Sequence, residues 1–268
     1  MFNKSLLIAT FALGLATSLF AEDFDLSNPA QWYSHYAKAQ ISKAENGEIT
    51  IKNGAAFEIK QIFSIDPAKE YTVSFDACTD APKGGFVSTA YILKGKNNRR
   101  IATENVTCAP ASLTEIAADA NAGDTSIKVK DASKFTKGLT NYFLALDAKA
   151  DFSDLPNSNL IAVKCVKPVQ ENGVYILTLA KPLKNALKAG TPVRQHYSGS
   201  AFYFNDGFRK PVSADWKTFT SSKSGISKQA SSIKFPRGSE KFNLHIFFAI
   251  PQGATAKIRN LKVTVADK

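Results

Sequence analysis

Short runs of alternating apolar and polar residues, separated by turn-forming residues, are the feature that most constrains the fold of this chain. In the run 71–77 (YTVSFDA) every second residue is apolar, and the residues between them are polar. A side-chain period of two is typical of β-strands that bury one face. Clusters of Gly and Pro, such as 82–85 (PKGG) and 236–238 (PRG), supply turns between the runs. The pattern predicts an all-β chain, built as an antiparallel sandwich or barrel.

The middle of the chain, residues 113–194, follows the same rhythm as a unit of its own. It contains four short β runs, and the triplet Glu171-Asn172-Gly173 is typical of a tight hairpin turn. No Gly/Ser-rich linker separates it from the rest of the chain. We therefore expect a small β subdomain, inserted into a loop of an outer sandwich that comprises residues 22–112 and 195–268.

Several segments of the outer part resemble one family of β-sandwiches. They are the strand YTVSFDA after a turn at 67–69, DWKTFT at 215–220, a strand after FPRG at 235–238, and the closing strand IRNLKVTV at 258–265. With these segments, residues 32–108 and 197–265 look like the jelly-roll carbohydrate-binding modules of the galactose-binding-like group. The resemblance implies an antiparallel jelly-roll sandwich, a glycan-binding function and a core position for Trp216. Asn260 stands where such modules often place an aspartate beside a structural calcium.

The first 21 residues (MFNKSLLIATFALGLATSLFA) have the layout of a cleaved secretory signal peptide. Lys4 precedes an apolar run, small residues follow, and Ala21 stands before two acidic residues. A membrane anchor needs about 20 unbroken apolar residues, and this run is shorter and interrupted. We expect cleavage after Ala21, a secreted or periplasmic location and no membrane span.

Export gives the cysteines a different meaning, because thiols can pair in an oxidising compartment. The chain has three, Cys78, Cys108 and Cys165, so at most one internal bridge can form. We expect Cys78 to pair with Cys108. The alternative is that all three are small buried apolar residues. A zinc site is not expected, since no CxxC spacing is present.

Motifs for enzyme chemistry are absent from the sequence. There is no Gly-x-Ser-x-Gly, no His-Glu-x-x-His and no glycine-rich phosphate loop. His245 lies in a run expected to be buried, where a core role is favoured. Jelly-roll polysaccharide lyases use His or Tyr to take a proton and Arg or Lys to neutralise a uronate, and Arg194, His196 and Tyr197 supply those residue types. We predict a non-enzyme without an organic cofactor, and keep a lyase as an alternative.

Two aromatic clusters have the composition of a sugar-binding surface. Aromatic rings stack on the apolar face of a pyranose, while guanidinium groups and amides bond its hydroxyls. In the run WYSHY, Trp32 and Tyr36 share one strand face. In the run AFYFN, Tyr203 is expected to point outward, and Arg209 follows in a turn. These four residues are the predicted ligand contacts, and ordinary core packing is the alternative.

The charge balance favours an anionic partner. The chain has 34 Lys and Arg against 23 Asp and Glu, a net charge of +11. Basic proteins attract polyanions through their summed field. Nucleic acid is not expected for an exported chain without a recognition motif, so uronic-acid or sulfated glycans, or an anionic cell envelope, are the favoured polyanions. The alternative is a solvated lysine surface.

One acidic cluster lies within the middle segment. Asp147, Asp151 and Asp154 are close in sequence, with Asn157 and Asn159 nearby. Carboxylate and amide oxygens are the ligands that Ca²⁺ prefers, so the cluster predicts a calcium site. The alternative is an ordinary polar loop, because Asp and Asn are common loop residues.

Taken together, these features predict an exported, non-catalytic protein that binds a polysaccharide or cell-surface glycan, with acidic polysaccharide as the favoured class. The first alternative is a structural or adhesive envelope protein whose insert contacts another protein. The second is a polysaccharide lyase that uses His196 and Tyr197. An exposed aromatic row would favour glycan binding, a flat apolar patch on the insert would favour adhesion, and a deep cleft at His196 would favour the lyase.

Overall fold

The computed structural model of this protein describes residues 21–34, 40–43, 46–52, 55–136, 141–164, 168–197, 199, 203–204 and 209–268. Helical structure in these segments is confined to short 3₁₀ turns, at Pro29–Gln31, Lys96–Asn98, Thr103–Asn105 and Pro110–Ser112. None of the helices described has the length and apolar character needed to cross a membrane. The remaining ordered elements are strands, so the predicted all-β class is confirmed.

The strands fall into three stretches of the chain. The first stretch contains β1 (Glu22–Asp25), β2 (Trp32–Ser34), β3 (Gln40–Lys43), β4 (Ile49–Lys52), β5 (Ala55–Ser64), β6 (Lys69–Thr79), β7 (Gly85–Lys94) and β8 (Arg100–Ile101). The second contains β9 (Thr114–Glu115), β10 (Ser126–Val129), β11 (Asn141–Leu146), β12 (Leu160–Lys164), β13 (Val169–Glu171), β14 (Val174–Thr178) and β15 (Pro192–Tyr197). The third contains β16 (Tyr203–Phe204), β17 (Lys210–Val212), β18 (Lys217–Ser224), β19 (Ile226–Ser227), β20 (Phe235–Pro236), β21 (Lys241–Ala249) and β22 (Thr255–Asp267).

The first and third stretches form a β-sandwich. One sheet has the order β18-β6-β22-β4-β3, with β1 also paired to β22, and the other has the order β16-β7-β21-β5-β2, with β17 and β8 also paired to β7. These pairings are antiparallel. Tyr71, Val73 and Phe75 of β6 are buried in the core between the sheets, as their period of two predicts. The predicted antiparallel sandwich is confirmed.

The second stretch has its own apolar core. Its two sheets have the orders β12-β11-β15-β9 and β10-β14-β13. Leu144, Leu177 and Val193 are fully buried between them. The predicted hairpin turn joins β13 to β14 through Asn172 and Gly173, both in the left-handed region that such a turn requires. The boundaries of the insert, at residues 113 and 194, stay a prediction.

Two chain segments run side by side where the insert leaves the sandwich. The Ala109 amide donates to the Gln195 carbonyl at 3.0 Å, and the Tyr197 amide donates to the Thr107 carbonyl at 2.9 Å. A second contact lies nearby, where the Asn157 amide donates to the Asn105 carbonyl at 2.8 Å. Backbone hydrogen bonds therefore hold the two connecting segments together and join the insert to the sandwich between Asn157 and Asn105. The candidate site lies at this junction.

The predicted disulfide is wrong, because Cys78 and Cys108 are both free thiols. Cys78 lies on β6 of the sandwich. Cys108 lies at the junction, where its backbone forms an antiparallel β-bridge with His196. Burial raises the pKa of both thiols, which makes them less reactive. Both fit the alternative of small buried apolar residues. Cys165 lies outside the described residues.

Trp216 does not occupy the core position that the resemblance implied. Its ring is half-buried and stacks under the Arg259 guanidinium, 4.1 Å from the ring centroid. The corresponding inward position belongs to Phe219 of β18, which stacks on Phe75 with ring centroids 5.4 Å apart. Trp216 precedes β18 and the first inward residue of that strand, and its ring packs against Arg259 of β22.

Candidate functional site

Trp32, the first predicted ligand contact, is a core residue. Its side chain is 7% exposed, its ring stacks on Phe57 at a centroid distance of 4.4 Å, and its indole N–H donates to the Leu26 carbonyl at 2.8 Å. A ring enclosed on this side cannot stack on a sugar, so the predicted contact at Trp32 is wrong. The neighbouring Tyr33 faces the opposite way and is 57% exposed. Strand alternation identifies both faces, but only the packing decides which one is inward.

The other predicted contacts do not gather with Trp32. Arg209 is exposed, has a positive φ of 68°, and its amide donates to the Ser88 hydroxyl of β7 at 2.9 Å. Strands β2 and β7 are separated by β5 and β21, which amounts to about 14 Å across the sheet. Tyr203 lies on β16 in register with Tyr91, and its outward orientation stays a prediction. Tyr36 lies outside the described residues.

The acidic cluster forms a buried ion pair in place of a metal site. Asp154 accepts a hydrogen bond from the Arg194 guanidinium at 2.7 Å, and these side chains are 6% and 1% exposed. Arg194 also donates to the Lys149 carbonyl at 2.9 Å. Burial by itself would raise the pKa of Asp154, but hydrogen bonds from Asn157 and Arg194 outweigh it and hold the pKa below the usual value.

The other two aspartates serve local turns. Asp151 accepts from the Ser153 amide at 2.9 Å, and Asp147 accepts from the Asn159 side chain at 3.2 Å. Across the part of the chain that the structure describes, no group of three or more His, Cys, Asp or Glu side chains is placed to hold a metal ion. The three carboxylates point to different partners, so the predicted calcium set does not form.

A cleft of about 210 Å³ lies at the junction between the sandwich and the insert. Glycines allow three chain segments to meet around it. A Cβ at Gly95 would lie 2.6 Å from the Gly238 carbonyl, and a Cβ at Gly238 would lie 2.6 Å from Cδ of Pro156. Gly238 also has a φ of +79°, which favours glycine. The cleft therefore has one wall from the sandwich and one from the insert.

The charged side chains of this junction cleft are mainly cationic. Lys96, Arg99 and Arg100 line it and are exposed, and Glu240 is the acidic residue of the lining. Neither Lys96 nor Arg99 takes part in an ion pair among the residues described. Ser158 of the insert adds a hydroxyl. Guanidinium and ammonium groups in this arrangement can hold a carboxylate or sulfate group.

The Lys96–Asn98 turn positions these cations. The Arg99 amide donates to the Lys96 carbonyl at 3.2 Å, and the Gly95 amide donates to the Arg99 carbonyl at 2.8 Å. Asn97 and Asn98 adopt positive φ angles, which asparagine tolerates better than most residues. The basic residues at 96, 99 and 100 are visible in the sequence. Their meeting with Ser158 and Glu240 is not, because those residues are far apart along the chain.

His196 is sealed inside the protein. Its side chain is 0% exposed, and Nδ1 lies 2.7 Å from the Glu104 carbonyl oxygen. The Tyr197 hydroxyl points elsewhere and lies 2.9 Å from the Thr136 hydroxyl. The lyase alternative required both side chains to share a solvent-open cleft with an arginine, and this pair does not have that geometry. His245 is buried as expected.

The buried His196 makes stability depend on pH. Burial lowers the pKa of His196 from its ordinary value of 6.5, and the nearby positive charge of Arg194 acts in the same direction against the hydrogen bond at Glu104. Below pH 6.5 the unfolded chain takes up a proton that the folded chain does not. The free energy of unfolding is therefore expected to fall as pH decreases below about 6.5, by at most about 1.4 kcal/mol per pH unit.

Urea unfolding of the native chain and of His196→Gln between pH 5 and 7 tests this expectation. The two proteins differ in how steeply the free energy of unfolding changes with pH, and that difference is the contribution of His196. Asp154 does not interfere, because its carboxyl titrates below this pH range. NMR titration of the ring gives a second measurement that needs no variant. Equal slopes, or a ring pKa at or above 6.5 in the folded protein, would contradict it.

Comparison with known proteins finds structural likenesses but no family. No protein-family model matches the chain, and no curated protein matches it. Among solved structures, the lectin UEA-II in complex with galactose is 10% identical with a TM-score of 0.30, and the match covers 92% of this chain and 98% of that chain. Lectin II from Ulex europaeus is 12% identical with a TM-score of 0.29, covering 92% and 97%. The potassium-bound carbohydrate recognition domain of Emp46p is 13% identical with a TM-score of 0.27, covering 88% of each chain. We draw no functional conclusion from likenesses at this level.

Proposed function

We propose that this protein is an exported, non-catalytic glycan-binding protein, and that the junction cleft holds an acidic polysaccharide. The observation that carries the proposal is the set of exposed cations Lys96, Arg99 and Arg100 around a cleft of sugar-sized dimensions. A uronate or sulfate group offers oxygens that match a guanidinium fork. Hydrogen bonds to charged groups contribute about 1.5–3 kcal/mol each, so two or three of them suffice for a useful affinity.

The lining also supplies groups for neutral parts of a sugar. The Ser158 hydroxyl and the Glu240 carboxylate are placed to bond sugar hydroxyls. The Asn105 amide is already engaged, because it accepts from the Ala102 amide at 2.8 Å and donates to the Asn157 carbonyl at 3.0 Å. Its role is to fix the insert wall of the cleft. Glu240 repels a second anionic group nearby, which favours chains with spaced charges over densely sulfated ones.

Binding without catalysis fits the composition of the cleft. The lyase alternative needs a histidine or tyrosine that takes the proton. The described lining has a single carboxylate, Glu240, and no histidine. Export fits the first strand, because β1 begins at Glu22, and removal of residues 1–21 leaves it intact. Mass spectrometry of the N-terminus of the secreted protein tests the cleavage site.

Affinity for a polyuronate tests the cleft. We expect Lys96→Glu/Arg99→Glu to weaken binding on the order of tenfold to a hundredfold at low salt, because two charge-assisted contacts become repulsive. The matched control is Lys128→Glu/Lys134→Glu, which changes net charge by the same amount at two exposed lysines of the insert. Calorimetry at two salt concentrations provides the measurement.

The comparison separates a site from a diffuse charge effect. Equal losses in the two double variants would show attraction by the summed field alone and would reject the cleft as the site. A native chain that retains no glycan on an array at low salt would reject the function. Release of unsaturated sugar ends, followed by ultraviolet absorbance, would show lyase activity and would reject the proposal that the protein is non-catalytic.

A further inference from the structure

A second, chemically different groove lies on the insert. It has a volume of about 280 Å³ and runs along β11 and β12 beside the segment 181–187. Leu146, Leu183 and Leu187 form its buried floor. Phe143, Leu160 and Ile161 line it and are only half-buried. Partly exposed apolar side chains around a concave surface are typical of a ligand site.

The charged residues of this groove have one sign. Lys181 and Lys184 are exposed members of the lining, which contains no carboxylate among the described residues. Neither ammonium group takes part in an ion pair among those residues. Asp147 lies next to the lining, where it accepts a hydrogen bond from the Asn159 side chain at 3.2 Å. An apolar trough with two lysines therefore complements a molecule with an apolar body and an anionic end.

The geometry disfavours an extended peptide. A peptide docks on a sheet edge by completing its backbone hydrogen bonds. The outer edge of β12 is already used, because the Ala180 amide donates to the Ala162 carbonyl at 2.9 Å and Val163 forms a bridge with Leu179. The size of the groove also corresponds to a small molecule.

We propose that this groove binds a single-chain amphiphile with an anionic head group, of the fatty-acid class. The chain lies against Phe143, Leu160 and Ile161, and the carboxylate meets Lys181 and Lys184. This site is independent of the junction cleft and of glycan binding.

Calorimetry of the full mature chain with octanoate, decanoate and dodecanoate, each below its micelle concentration, tests the proposal. Affinity is expected to rise about fourfold per added methylene until the groove is filled, the equivalent of about 0.8 kcal/mol. Lys181→Glu/Lys184→Glu is expected to weaken decanoate binding at least tenfold while leaving decanol binding unchanged. The control variant Lys128→Glu/Lys134→Glu makes the same change in charge outside the groove. It is expected to change the affinity for decanoate less than threefold.

Four results would overturn the proposal. They are an affinity independent of chain length, equal losses in the two double variants, binding only above the micelle concentration, and binding of an acidic peptide in the absence of any amphiphile binding. A variant with Ala162→Phe narrows the groove without changing charge, and it is expected to abolish the dependence on chain length. Circular dichroism and thermal melting of each variant exclude misfolding as the cause.

Discussion

An Arg194→Met variant is expected to lose about 3–5 kcal/mol of unfolding free energy, because it leaves the Asp154 carboxylate buried without its charge partner. The pair lies at 2.7 Å with both side chains nearly inaccessible to water. Arg194 also packs against the Phe152 ring at 4.7 Å and holds the Lys149 carbonyl, so the variant loosens the whole 149–157 loop. Urea unfolding at pH 7 measures the loss.

An exposed ion pair of the same insert provides the matched control. Lys188 and Asp119 lie 2.7 Å apart but are largely exposed, so Lys188→Met is expected to change stability only slightly. The double variant Arg194→Met/Asp154→Leu is expected to recover much of the loss, since no charge then remains buried. Similar effects from Arg194→Met and Lys188→Met would contradict the assignment of a buried structural pair.

The same ion pair bears on the proposed function. Pro156 and Ser158 form the insert wall of the junction cleft. Pro156 lies within the 149–157 loop that Arg194 holds, and Ser158 directly follows that loop. Arg194→Met is therefore expected to weaken polyuronate binding even under conditions where the protein remains folded. Unchanged binding would mean that the insert wall contributes little to the site.

Replacement of Trp32 by alanine is expected to destabilise the sandwich by about 3–5 kcal/mol, because the indole fills the core against Phe57 and Phe57 in turn lies near Phe248. The substitution also removes the indole N–H that donates to the Leu26 carbonyl. Tyr33→Ala at the next position removes a ring of similar size from the surface, and its effect is expected to remain below about 1 kcal/mol.

Denaturation midpoints of the two alanine variants provide the measurement. Glycan binding at a temperature where both remain folded distinguishes a packing role from a contact role. If Trp32→Ala retained native stability but lost glycan binding, the ring would be a ligand contact and the assigned core role would be wrong.

The candidate site was only half visible in the sequence. The basic residues Lys96, Arg99 and Arg100 are clustered in a short segment, and that cluster is readable directly. Their meeting with Ser158 and Glu240 depends on the close packing of Gly95, Gly238 and Pro156. No local pattern encodes such a contact, because each participant looks like an ordinary turn residue. The calcium prediction failed for two reasons: Asp154 bonds Arg194, which is distant in sequence, and Asp147 and Asp151 accept hydrogen bonds within their own loops.

Local periodicity determined the all-β class, the inward residues of β6 and the Asn172-Gly173 hairpin, because side-chain alternation and turn preferences act over a few neighbouring residues. The tertiary structure alone decided that Trp32 faces inward, that Cys78 and Cys108 stay apart, and that Asp154 neutralises Arg194. These outcomes depend on which distant strands pair and in which register, because a one-residue shift of a strand exchanges its inward and outward faces.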